Sequence, residues 1–355
     1  MSAKTFFTEA PWANLGRVAL GLIIGVIGAL VFAATGMPLP WLLGAIFFCL
    51  LASFFHVPVT GPTKATPVMR VILGVTVGGA FTSELVGRIG EIIGSLVFLA
   101  PSVVLTATAG LAYFRIIGKL DSATATYAAM PGAFQDMVAL GREAGADERK
   151  LTLIHATRVL ILVFTLPLLF QWWGGVQGGP SSGFQSITEQ SPNELLVLVL
   201  CGVSGWWLAK KLHINGATII GPMFVSGIVH VTDLSTIRPP LELINLAQLV
   251  IGCASGCKFA GVSAKEIANS VLSSLGFLVI SLLIAVGFAL LVGFVTDFSA
   301  TAVLLAFVPG GQAEMILIAV AFGIDPAYVA LHHLSRVVIV LFYAPLLHRW
   351  ARRRF

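Results

Sequence analysis

Six ionisable side chains stand in stretches of this sequence that are otherwise apolar: Asp136 and Glu314, Arg158 and Arg336, His155 and His333. A carboxylate in such a setting costs a few kcal/mol unless it is paired or protonated, so each acid is a candidate for binding H⁺ or Na⁺. It can also serve only to offset the positive end of a helix dipole. An arginine there offers a planar fork of donors that suits the carboxylate of an anionic solute, or one of the two acids as an internal salt bridge. Each arginine follows a histidine by three residues, which puts the pair on one helix face.

The acids lie four residues beyond a Pro-Gly pair, in Met130-Pro131-Gly132-Ala133-Phe134-Gln135-Asp136-Met137 and again in Val308-Pro309-Gly310-Gly311-Gln312-Ala313-Glu314-Met315. Proline lacks the amide proton that a helix needs, and glycine reaches backbone angles closed to other residues, so both stretches predict a helix broken at the pair. The half-helix after each break presents free N–H groups and a positive dipole end to a ligand. Candidate substrate contacts are therefore Pro131, Gly132, Gln135, Arg158, Pro309, Gly310, Gly311, Gln312 and Arg336. Candidate coupling residues are Asp136, Glu314, His155 and His333. Ala133 replaces the second glycine in the first copy, which predicts weaker binding there or a scaffold role.

The two copies are parts of a longer duplication at an offset of 178 residues, with 15 of 42 positions identical over 128–169. About three or four matches are expected by chance. The offset also pairs Pro62 with Pro240, Gly74 with Gly252 and Gly78 with Gly256. The chain thus divides into repeats at 14–172 and 192–350, joined by a linker at 173–191. Gly74-x3-Gly78 and Gly252-x3-Gly256 read as helix-packing surfaces. Asp147 and Asp325 recur, and Asp325-Pro326 reads as a helix cap followed by proline in the first turn.

Apolar residues make up 57% of the 355 residues and charged ones 10%, with a mean hydropathy of +0.96. That is too little polar surface for a soluble globule of this size, so the bilayer is the expected partner. The first residues lack the pattern of a cleaved signal peptide. Basic residues are scattered along the chain and form no patch for nucleic acid. Four cysteines fall in apolar spans, where Cys253 and Cys257 read as small packing residues; neither they nor the seven dispersed histidines make a metal cluster. No cofactor is expected, and enzymatic activity is not.

Apolar spans lie at 15–34, 41–55, 66–82, 89–114 and 151–171, and again at 194–209, 217–231, 241–257, 268–295 and 328–348. The broken segments are 121–141 and 299–322. If the broken segments cross the membrane, Lys and Arg divide 11 to 8 between its faces. If each turns back as a re-entrant hairpin, 17 lie in the cytoplasm, two outside (Arg88, Arg238) and two within the membrane (Arg158, Arg336). The positive-inside rule selects the second arrangement. The expected fold is an all-α polytopic membrane protein of two inverted repeats, each with about five crossings and one re-entrant hairpin. Its linker would be periplasmic and both termini cytoplasmic, in a bacterial inner membrane.

The duplicated Pro-Gly turn with its acid and the His-x-x-Arg helix resemble the AbrB family of bacterial integral membrane proteins, which is unrelated to the soluble DNA-binding regulator of that name. The resemblance spans nearly the whole chain. Members are described as regulators of gene expression, and some carry an ammonia monooxygenase label. The family is similar in fold to the cation:proton antiporter and anion transporter superfamily, which implies secondary transport by analogy. The leading expectation is a transporter of a small organic anion coupled to H⁺ or Na⁺, with its site at the membrane midplane between the two turns. The alternative is a membrane sensor or regulator on the same scaffold; a monooxygenase is disfavoured by the scattered histidines. Homo-oligomerisation is left open.

Overall fold

Helix starts and stops in this chain follow from a few local residues. The computed structural model describes residues 11–82, 85, 87–174, 184–214 and 216–354; residues 175–183 of the linker lie outside them. The first half carries α1 (Pro11–Ala34), α2 (Pro40–Phe54), α3 (Thr66–Gly78), α4 (Ile89–Ile116), α5 (Ser122–Ala129), α6 (Phe134–Glu143) and α7 (Glu148–Gly174). The second carries α8 (Pro192–Lys211), α9 (Ala217–Val231), α10 (Leu241–Gly256), α11 (Ala264–Gly293), α12 (Ala300–Phe307), α13 (Gln312–Ala321) and α14 (Pro326–Arg354). No strand occurs among the described residues. Ser191 with Glu194, and Ser263 with Glu266, form capping boxes that open α8 and α11. Asp147 accepts from the Lys150 N–H, and Asp325 from those of Ala327 and Tyr328, so both aspartates cap helices as expected.

Both Pro-Gly segments are broken, in the same way on the entry side. Asp121 caps α5 by accepting from Thr124, and Ser299 caps α12 by accepting from Ala302. Each of these helices runs for eight residues and ends at a residue with extended backbone, Met130 (φ −66°, ψ 129°) or Val308 (φ −65°, ψ 135°). The following proline excludes the helical region at that position. The turns then diverge. Gly132 and Ala133 take positive φ of 103° and 50°, whereas Gly311 is extended at φ −73°. Helices α6 and α13 resume for ten residues each.

Among the described residues, six helices are long and apolar enough to cross a membrane: α1, α4, α7, α8, α11 and α14. Of the ten expected crossings, the other four are shorter. Helices α2, α3, α9 and α10 have 15, 13, 15 and 16 residues, about 20–24 Å at 1.5 Å per residue against a core of about 30 Å. Helices α2 and α9 pack between neighbours from both halves, and α3 and α10 against helices of the opposite half. A Cβ on Gly74 of α3 would strike the carbonyl of Ile219 in α9, and one on Gly252 of α10 would strike that of Leu42 in α2. Only glycine permits such backbone approach.

Packing across the halves is reciprocal: α3 with α9 and α10 with α2, α1 with α10 and α8 with α3, α4 with α14 and α11 with α7. A two-fold relation between repeats produces such exchange. The packing also sorts the helices into two groups. Helices α1–α3 and α8–α10 hold to one another, α4–α7 and α11–α14 form the other group, and α3 is the chief helix of the first group to touch the second, through α13 and α14.

Candidate functional site

Among the described residues the two largest fully buried side chains are Arg158 and Arg336, at 1% and 2% exposure. Each reaches from the long helix of its repeat to the end of the eight-residue helix that precedes the turn. Arg158 Nη1 donates to the Met130 carbonyl at 3.0 Å, and Arg336 Nη1 to that of Val308 at 2.7 Å; Arg336 Nη2 also donates to the carbonyl of Ala306. Helix C-termini leave carbonyls unpaired and carry the negative end of the dipole, which is what a guanidinium satisfies.

The histidines complete the brace. Arg158 Nη2 lies 3.0 Å from His155 Nδ1, and Arg336 Nη1 lies 3.5 Å from His333 Nδ1. An arginine can only donate, so Nδ1 accepts and the proton sits on Nε2. That proton faces the Tyr127 carbonyl at 3.0 Å in the first repeat and the Leu305 carbonyl at 3.1 Å in the second. Protonating Nδ1 would displace the arginine from its brace. The internal salt bridge from arginine to Asp136 or Glu314, expected from the sequence, is absent among the described residues. The acids lie past the turn on α6 and α13, while the arginines are held by carbonyls before it.

Both turns open on one cavity of about 500 Å³. Gly132, Gln135, Asp136, Arg158, Gly310, Gly311, Gln312 and Glu314 all line it. Pro131, Pro309, His155, His333 and Arg336 are not among the lining residues; they shape or hold the turns from behind. Glu314 accepts from the Ser255 hydroxyl at 3.3 Å, and its carboxylate folds over Gly311, where any Cβ would collide with it. In the first repeat the corresponding residue is Ala133 and the acid is the shorter Asp136, so the larger acid goes with the missing Cβ.

Two cations in the wall were read from the sequence only as topology determinants. Arg70, on α3, and Lys258, in the 3-10 turn after α10, both line the cavity, with Lys258 Nζ 4.6 Å from the centre of the Phe134 ring. At the repeat offset their positions hold Gln248 and Ala80. The duplication that marked Asp136, Glu314 and Arg158 could not mark these; the signal available was their lack of a charged counterpart. Thr218 and Ser335 add hydroxyls to the wall. Arg70 Nε, Arg158 Nε and Gln312 Nε2 are buried without a hydrogen-bond partner.

The cysteines bear out the packing reading. Cys49 and Cys253 both donate to the Gly21 carbonyl, at 3.3 and 3.5 Å, and Cys257 is buried beside them in the same apolar cluster.

The sequence matches the family model described as "Transition state regulatory protein AbrB" over residues 41–352. It is similar to "Uncharacterized protein YhjN" of Bacillus subtilis (strain 168), with 24% identity over 95% of this chain and 93% of the relative. It is likewise similar to "Putative regulator AbrB" of Escherichia coli (strain K12), with 25% identity over 96% of each. With its all-helical fold, six helices able to cross a membrane and a family match over most of its length, the chain belongs to the membrane-type AbrB family.

Proposed function

We propose that the protein is a secondary transporter of a small organic anion, coupled to H⁺ or Na⁺, and that the cavity between the two Pro-Gly turns is its site. The observation that carries this reading is the convergence of both turns on one cavity with Arg70, Arg158, Lys258, Asp136 and Glu314 in its wall. Helices α6 and α13 begin there, adding two positive dipole ends to the three cations and favouring an anion. The two acids supply sites for the coupling cation. With three cations and two acids in its wall the empty cavity carries one net positive charge, which a bound monoanion offsets, so the loaded site costs less to move through the bilayer than the empty one.

The same reading gives the repeats opposite orientations in the membrane, as the distribution of Lys and Arg favours. The cavity wall draws on both packing groups: Arg70, Lys258 and the start of α9 from one, the turns, α7 and α14 from the other. A shift of one group against the other would move the site's access between the two faces of the membrane.

Uptake and exchange in proteoliposomes test the proposal. Asp136→Asn or Glu314→Gln should abolish gradient-driven uptake while leaving part of the anion exchange, because only the coupling cation is lost. Unchanged pH and Na⁺ dependence in both variants would confine the acids to a dipole role. A regulatory role on this scaffold is the second reading, favoured by the name of the Escherichia coli relative. In that case the cavity binds its solute without moving it, and substrate binding with no uptake or exchange by the wild type would decide for it.

A further inference from the structure

The cavity holds more donors than acceptors, and much of its remaining wall is apolar. Arg70 Nε, Arg158 Nε and Gln312 Nε2 are buried with no acceptor, and the Lys258 ammonium faces the ring of Phe134. Unpaired buried donors are costly, and these three, with the exposed Lys258 ammonium beside them, complement a ligand head that only accepts. Away from these groups the wall is built from Ile219, Ile220 and Phe224 of α9 and Leu334, Val338 and Leu341 of α14. Beyond Phe224 lies an apolar groove of about 230 Å³ along α9, with Met223, Gly227, Ile228 and Val231 in its wall. In the first repeat, Phe47 of α2 packs on Phe164 with ring centres 6.3 Å apart. The gap beside it, between Ile46 and Leu160, holds about 10 Å³.

We infer that the cavity takes an amphiphilic organic anion. Its single carboxylate or sulfonate head meets Arg70, Arg158 and Lys258, and its apolar body passes Phe224 into the groove along α9. The inference rests on the reading of this cavity as the solute site and narrows the solute's class. Inorganic anions and short dicarboxylates satisfy the donors but leave the apolar wall and groove bare, whereas a body of several carbons covers both.

The test is calorimetric binding to the protein in nanodiscs, using butyrate, hexanoate and octanoate at constant charge, with succinate and sulfate beside them. Affinity should rise from butyrate to octanoate by up to about fourfold per added methylene, and succinate and sulfate should bind more weakly than octanoate. Arg70→Gln with Lys258→Gln should weaken octanoate at least tenfold; if that pair fails to fold, Lys258→Gln alone should weaken it severalfold. A Cβ at position 227 meets the Phe81 ring at ordinary contact distance, 3.4 Å, so Gly227→Leu can fill the groove. That variant should bring the ratio of octanoate to butyrate affinity towards one. Succinate or sulfate binding as tightly as octanoate overturns the inference. So does failure of every probe to bind, and so does a chain-length gain that persists in the cation variants, since that is partition into lipid. Transport is read separately: octanoate that binds as expected without uptake leaves the ligand class standing and removes the transporter, while tight succinate with uptake does the reverse.

Discussion

At the scale of single residues, the arginines and histidines brace the turns by hydrogen-bonding to carbonyls, and this predicts how their variants behave. Arg336→Met strands the carbonyls of Val308 and Ala306 in a dry interior, which should cost about 1–3 kcal/mol for each acceptor left unmet. Arg336→Lys keeps the charge but not the fork, so its melting temperature should fall less than that of the methionine variant. Neutralising Asp136 or Glu314 as well should recover none of the loss, because neither acid is the arginine's partner; recovery in the double variant would restore the salt bridge that the geometry leaves out. The two turns predict a second contrast. Gly311→Ala puts a Cβ where the Glu314 carboxylate lies and should impair coupling. Ala133→Gly relieves a left-handed backbone at φ 50° and should leave stability unchanged or raise it by up to about 1 kcal/mol. A loss of coupling from Ala133→Gly comparable to that from Gly311→Ala would contradict this assignment. The wall residues that occur twice were legible from the duplication, since selection for one chemistry in both repeats leaves a periodic mark. Arg70 and Lys258 carry no such mark, and their place depends on how α3 and α10 pack, which the sequence of either helix alone does not state.

At the scale of the elements, the breaks at Pro131 and Pro309 were legible because proline and glycine act on their own backbone. The differing conformations of the two turns were not, because Ala133 takes a left-handed angle that only its surroundings can impose. The expectation of ten spans met four helices of 13–16 residues. Hydropathy reports burial in an apolar medium, and helices buried in protein score like helices buried in lipid. Their glycines make the close crossings testable. Gly252→Leu drives a side chain into the backbone of α2 and should cost at least about 1–3 kcal/mol by overpacking. Gly16→Leu, on a part of α1 where nothing lies within 4 Å, should leave the melting temperature nearly unchanged. Equal effects at the two positions would show that α2 and α10 do not cross at Gly252.

At the scale of the whole molecule, the account depends on the two hairpins entering from opposite faces of the bilayer and meeting at one cavity. The reciprocal packing of the halves is compatible with a two-fold axis in any direction, so the orientation of each half relative to the membrane has to be measured. Lys119 and Arg142 flank the first hairpin, and Asp297 precedes the second; all three are exposed, while the four native cysteines are buried. The decisive measurement is labelling of Lys119→Cys, Arg142→Cys and Asp297→Cys by a membrane-impermeant thiol reagent in right-side-out and inverted vesicles. The account predicts that positions 119 and 142 react only from the cytoplasmic face and position 297 only from the periplasmic face. Reaction of 119 and 142 from opposite faces would mean that the first segment crosses the membrane, and reaction of 119 and 297 from the same face would mean that the halves run parallel; either result contradicts the account.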